Sequence, residues 1–201
     1  MKYELTSETK KIGTVVLYRI KALRSVGDCK KGDLGGWIGK ESNLSQEGNA
    51  WVSGDAWVFG DAWVFGDAQV FGYAQVSGYA QVSGNAQVYG NARVSGDAQV
   101  FGRAQVFGDA WVFGYAQVSG YAQVSGYAQV SGNAQVYGNA RVFGRAQVFG
   151  DAWVSGDALV SGDARVSGDA RVYGDAPTPN VTESDYVSIG GKKYRLVEVK
   201  D

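Results

Sequence analysis

The chain has 201 residues, a formal net charge of −1, one cysteine and no histidine. That balance excludes a general nucleic-acid binder, which needs a strongly positive field, and a lone Cys29 excludes a disulfide framework or a cysteine-held zinc. One domain with small ends is the expectation at this length.

From the start, Tyr3–Thr6 and Thr14–Leu23 read as two strands around a polar Ser7–Gly13 turn region, with Val15, Leu17 and Arg19 sharing a face of the second. No apolar run approaches a membrane span, and the polar opening is unlike a secretion signal, so a cytoplasmic location is expected. A Gly-rich bend, Lys30–Gly36, delivers Trp37 and Ile38. Residues 1–47 carry nine Lys/Arg and six Asp/Glu, whereas the repeats that follow carry six Arg, nine Asp and no Lys.

Residues 48–173 are 21 uninterrupted copies of Gly-x-Ala-x-Val-x. An unbroken short period of this kind means a solenoid. Ala and Val stand two apart, so on a strand they share one face, while the residues between and after them face outward. Gly and the following Asp, Asn, Tyr or Arg make a corner, since Gly accepts positive φ and Asp and Asn bond nearby backbone. Three hexads closing a triangle give 18 residues per coil and seven coils, a prism roughly 30–35 Å long. Residues 48–176 are read as this prism, residues 1–47 as a β cap with Trp37 and Ile38 over its first coil, and 177–201 as a linker and capping hairpin. The hairpin strands are Tyr186–Ile189 and Tyr194–Val199 on a Gly190-Gly191 turn, and Pro177 breaks the repeat.

The phrase resembles the hexapeptide-repeat family, in which a small residue follows an aliphatic one by four positions, as in Val52 then Ala56 and Val58 then Ala62. The resemblance implies a left-handed parallel β-helix and, by family analogy, a trimer. The opening is similar to YdcK-like proteins of bacteria and their phages, through Ala22-Leu23-Arg24, Gly32-Asp33, Gly35-Gly36-Trp37 and Asn43-Leu44-Ser45. That likeness implies a bacterial or phage source and carries no activity.

Catalytic residues, metal ligands and cofactor sites are not expected. Acyltransferases of the hexapeptide family use a His base and their carbonic-anhydrase relatives three His ligands, and this chain has no His. The hexads also push out no loop to wall an active site. The corner Asp residues alternate with Asn, Tyr and Arg, which is turn chemistry. Cys29 has no base partner in view, and Gly32–Gly36 lacks the Lys-Ser/Thr ending of a phosphate loop.

The outward lanes follow from the period. One face stacks Ser53, Phe71, Tyr89, Phe107, Ser125, Phe143 and Ser161 beside Trp51 and four Gln; Trp57 opens the second face and Trp63 the third. Eleven Phe/Tyr and five Trp projecting outward exceed what a soluble monomer usually exposes. Phe71, Tyr89, Phe107, Phe143, Trp51, Trp57 and Trp63 are therefore the candidate partner-binding residues. One tempering pattern is a duplicated block, offset by eight hexads, which lands its copies on different faces because eight does not divide by three. The expected function is a non-enzymatic β-helical scaffold that binds itself or a protein partner, in the setting of a phage and its host. The alternatives are a polysaccharide binder, with Trp and Tyr as stacking platforms and Gln as hydrogen-bond partners, and a hexapeptide acyltransferase, against which the missing His and loop argue.

Overall fold

The computed structural model describes residues 1–174 in full and residues 177–178, 186–189 and 192–195 as strands of backbone. Each hexad forms a two-residue strand from its x-Val pair, such as Trp57–Val58 or Gln105–Val106, followed by a turn at Gly-x. Each strand pairs in parallel with the one 18 residues on: Gln87 with Gln105, Arg93 with Trp111, Gln99 with Gln117. The result is three parallel sheets around one axis, and the three expected lanes are those sheets. Among the described residues, no helix is long and apolar enough to cross a membrane.

The interior is the repeated pair. All Ala and Val of the 21 hexads are at most 5% exposed. An Ala next to each corner and a Val at each flat fill the narrow core without larger side chains. The corners depend on glycine twice over. Gly132 has φ +67°, and a Cβ placed there would lie 2.8 Å from the Gly150 nitrogen. Positive φ is costly for a residue with Cβ, and the glycines of successive turns sit in close columns.

The stack begins before the period does. Strand β1 (Tyr3–Ile12) pairs antiparallel with β2 (Val15–Ala22), and β2 pairs antiparallel with β3 (Leu34–Ile38). Trp37 and Ile38 of β3 then pair in parallel with Trp57 and Val58, and Leu44 bridges to Val64. Residues 37–44 therefore already form part of a turn below residue 48, and about eight turns stack in all. The register here is 20 residues rather than 18 because two extra residues lie between Leu44 and Trp51. That insertion hides this turn from a six-residue count.

Four further details differ from expectation. Ser7–Ile12 is strand, not turn: Thr9, Lys10, Lys11 and Ile12 pair with Tyr18, Leu17, Val16 and Val15 after a register shift that begins past Leu5. The polar side chains ride a paired edge, so backbone pairing overrides composition. On β2 the buried face changes from Leu17 to Ile20 and Ala22, where the register with β3 slips between Arg19 and Lys21. At the far end Pro177–Thr178 does not break the stack; it pairs with Leu159–Val160 as a last level of the first face. Equivalent N–H groups donate onward, as Arg141 N does to Ala158 O, so a proline on the last level forfeits no bond to the level before. Tyr186–Ile189 and Lys192–Arg195 pair antiparallel, Ile189 opposite Lys192. The second strand thus starts two residues before the expected Tyr194. Of the expected linker Thr178–Asp185, residues 179–185 lie outside the described residues, as do the turn 190–191 and residues 196–199 of the hairpin.

Candidate binding faces

On the first face the column rises Trp51, Gln69, Gln87, Gln105, Gln123, Arg141, Leu159. Beside it Phe71, Tyr89 and Phe107 form a continuous stack. Their ring centroids are 4.8 and 4.9 Å apart and their planes differ by 1° in each pair. The spacing is the strand spacing, so the sheet itself aligns the rings. Each ring is half-buried, and burial pushes the Tyr89 hydroxyl's pKa up. In the adjoining amide lane Gln105 Nε2 donates to Gln87 Oε1 at 3.4 Å. Phe143 shares the face but not the stack, because Ser125 and Ser161 flank it, and it is exposed.

The tryptophans divide into covered and free. Trp51 was expected to face a partner, but it is only 4% exposed and Tyr3 packs edge-on against it at 6.4 Å. The N-terminal strand has taken that surface. Trp57 is half-buried beneath the Lys10 ammonium, 4.7 Å from its ring, and Trp37 lies under Arg19 at 5.1 Å. Ile38 is fully buried in the core. Trp63 is exposed, with one ring face stacked on Phe65 at 4.0 Å.

The N-terminal segment also supplies a wall that the hexads lack. The loop Val26–Cys29, closed by paired backbone bonds between those two residues, overhangs the first face. Between them lies a cleft of about 770 Å³ lined by Asp28, Cys29, Asp33, Ser53, Gln69 and Phe71, among others. Phe71, the first ring of the stack, belongs to this cleft, so cleft and ladder form one surface. Lys30 N–H donates to Asp33 Oδ2 at 2.8 Å, which holds the loop. Burial pushes the Cys29 thiol pKa up, with the Asp33 charge and a hydrogen bond to Asp33 adding to it. A thiol held protonated is a poor nucleophile. Among the described residues no Lys or Arg lines the cleft, so none of them offers a phosphate-bearing ligand a counter-charge there.

Sequence reasoning passed over the corner tyrosines. Tyr73, Tyr79, Tyr115, Tyr121 and Tyr127 stand directly after glycine and are 56–65% exposed, beyond any of the expected residues. Their signal was the substitution of an aromatic where other copies use Asp or Asn, which reads as neutral turn variation. The corners also carry bonds between turns. Asn49, Asn91, Asn133 and Asn139 each donate Nδ2 to the Asp one turn on, at 2.8–3.1 Å. Arg103 donates to the Tyr121 hydroxyl at 2.8 Å.

A search of curated proteins finds no match to the chain. Three stretches of the repeat, residues 86–102, 134–148 and 164–176, match the family model described as YdcK beta solenoid repeat. These stretches cover well under half of the chain, and in them the chain is similar to YdcK beta solenoid repeats.

Proposed function

We propose that this β-solenoid is a non-catalytic scaffold whose first face, from the overhung cleft through the Phe71–Tyr89–Phe107 stack, docks against a protein surface, a second copy of the chain included. The stack is the observation that carries this reading. Three aligned rings on a rigid sheet present their outer edges with little side-chain entropy left to lose, which is how rigid aromatic anchors serve interfaces. Absence of histidine and the raised Cys29 thiol support a non-catalytic role. By analogy with hexapeptide-repeat proteins the assembly is a trimer. Light scattering tests it: the chain should run above its 21.4 kDa monomer mass, or a pull-down should retain a protein partner. Changing Phe71, Tyr89 and Phe107 together to Ser should abolish whichever is seen. A monomer that captures nothing, or binding indifferent to those changes, sinks the reading.

A further inference from the structure

The tryptophan-phenylalanine pair of the duplicated block occurs twice, as Trp63–Phe65 on the third face and Trp111–Phe113 on the second. Trp111 stands in the same column as Trp57, three turns on. The chain covers Trp57 with Lys10, and among the described residues no cation lies over Trp111, which is 38% exposed. One face of its ring packs on Phe113, with centroids 4.3 Å apart, and its Nε1 donates to Ser95 Oγ at 3.1 Å. The indole is thus pinned with its other face turned to the corner. There, a niche of about 210 Å³ is lined by Asn91, Arg93, Asp109, Trp111, Tyr127 and Gln129. These are two columns of three residues, corner and flat, spanning three successive turns.

We infer that this niche is a binding site for one ring of a neutral saccharide. Its size is below the roughly 300 Å³ where drug-sized pockets begin, so it suits a single sugar ring. A pinned indole offers a flat apolar platform to the C–H face of a pyranose. Around it stand a guanidinium, a carboxylate, two amides and a phenol, donors and acceptors in the mixture that vicinal hydroxyls require. Asp109 accepts from Asn91 through Oδ1, and its second oxygen has no partner among the described residues. Arg93 has no carboxylate partner among them either. One positive and one negative group cancel, so a phosphate meets Asp109 and an ammonium meets Arg93. At the sister pair the corresponding corner carboxylate, Asp61, is paired through Oδ1 with the Lys40 ammonium at 2.6 Å, which neutralises its charge, whereas the partner of Asp109 is a neutral amide. The sites are therefore not equivalent, and the inference is independent of docking on the first face.

The test follows the indole N–H signals of the six tryptophans by nuclear magnetic resonance, with Trp111 assigned by Trp111→Phe. Glucose, mannose, galactose and N-acetylglucosamine are titrated, each as monosaccharide and trisaccharide, to roughly 100 mM, beyond the millimolar range expected for one ring and a few hydrogen bonds. At least one sugar should shift the Trp111 signal saturably and leave Trp57 unmoved. Asp109→Ala, at an exposed corner that tolerates Asn, Tyr or Arg elsewhere, should weaken binding about tenfold. Adenosine monophosphate and an arginine-rich peptide serve as controls. No saturable Trp111 shift with any sugar, a shift undiminished in Asp109→Ala, or a response to the controls alone would overturn the inference.

Discussion

The N-terminal end and the middle of the prism are held by different means. In the middle every turn repeats the same bonds and the same Ala/Val fill, so no single side chain is unique. At the N-terminal end, contacts are individual. Lys2 Nζ donates to Glu47 O and Ala50 O at 3.2 and 2.7 Å, the Tyr3 hydroxyl lies 2.8 Å from both Glu41 O and Leu44 O, and Asn43 Nδ2 donates to Gly60 O and Ala62 O at 3.1 and 2.8 Å. These side chains satisfy carbonyls of the first turns, and Gly35 and Gly36 let β3 lie against Ile20 and Val52. A solenoid end must be closed by a special sequence, whereas its middle only has to be consistent.

The largest effect should come from the backbone of the middle. Gly132→Ala combines positive φ with a Cβ 2.8 Å from the next turn, and should cost about 3 kcal/mol in urea unfolding. Gly168→Ala, with φ +62° and open space around its Cβ, isolates the dihedral penalty and should cost only about 1 kcal/mol. Equal losses would show that the glycine columns are not close-packed. Next comes the end. Asn43→Ala leaves the Gly60 and Ala62 carbonyls unpaired and should cost about 2 kcal/mol, with amide exchange accelerated near the first turns and unchanged near Gln123. Uniform acceleration would mean that end and middle unfold as one unit.

A smaller effect follows from Lys2. Burial, reinforced by Arg24, lowers its pKa from 10.5 to about 8 against the weaker pull of Asp67. The folded form therefore gives up its proton first. Between pH 8 and 10.5 the unfolded chain binds more protons, so the stability of this end should rise with pH through that window. Amide protection factors at the first turns, taken against the intrinsic exchange rate at each pH, should rise accordingly, and Lys2→Met should flatten the dependence; protection that falls with pH in the native chain would reverse the sign. The smallest effect concerns the corners. Asn91→Asp sets two carboxylates one turn apart at Asp109 and should cost less than about 1 kcal/mol, recovered in high salt. No salt dependence would mean that the Asn–Asp bonds carry nothing electrostatic.

The same contrast explains what could be read in advance. Six-residue spacing reveals each lane, and hence that Phe71, Tyr89 and Phe107 share a column, because parallel stacking converts spacing into contact. The turn at Trp37–Leu44 escaped, since two inserted residues break the count. Burial of Trp51 escaped because Tyr3, 48 positions earlier, covers it. The cleft required a loop whose course across the first face no local pattern encodes. The niche at Trp111 depends on Lys10 covering Trp57 in its own column and Lys40 pairing with Asp61 at the sister pair, and only the three-dimensional stack decides that.

Inserting hexads tests the central claim most directly. One extra Gly-Asn-Ala-Gln-Val-Ser after Ser83 preserves the interior but carries Tyr89 and Phe107 to another face. Three extra copies return them to the face of Phe71, one turn farther away. Both proteins should keep the β-solenoid circular dichroism and cooperative melting, with first-face binding lost after one insertion and largely kept after three. Unfolding after one insertion, or binding that ignores it, would contradict the account.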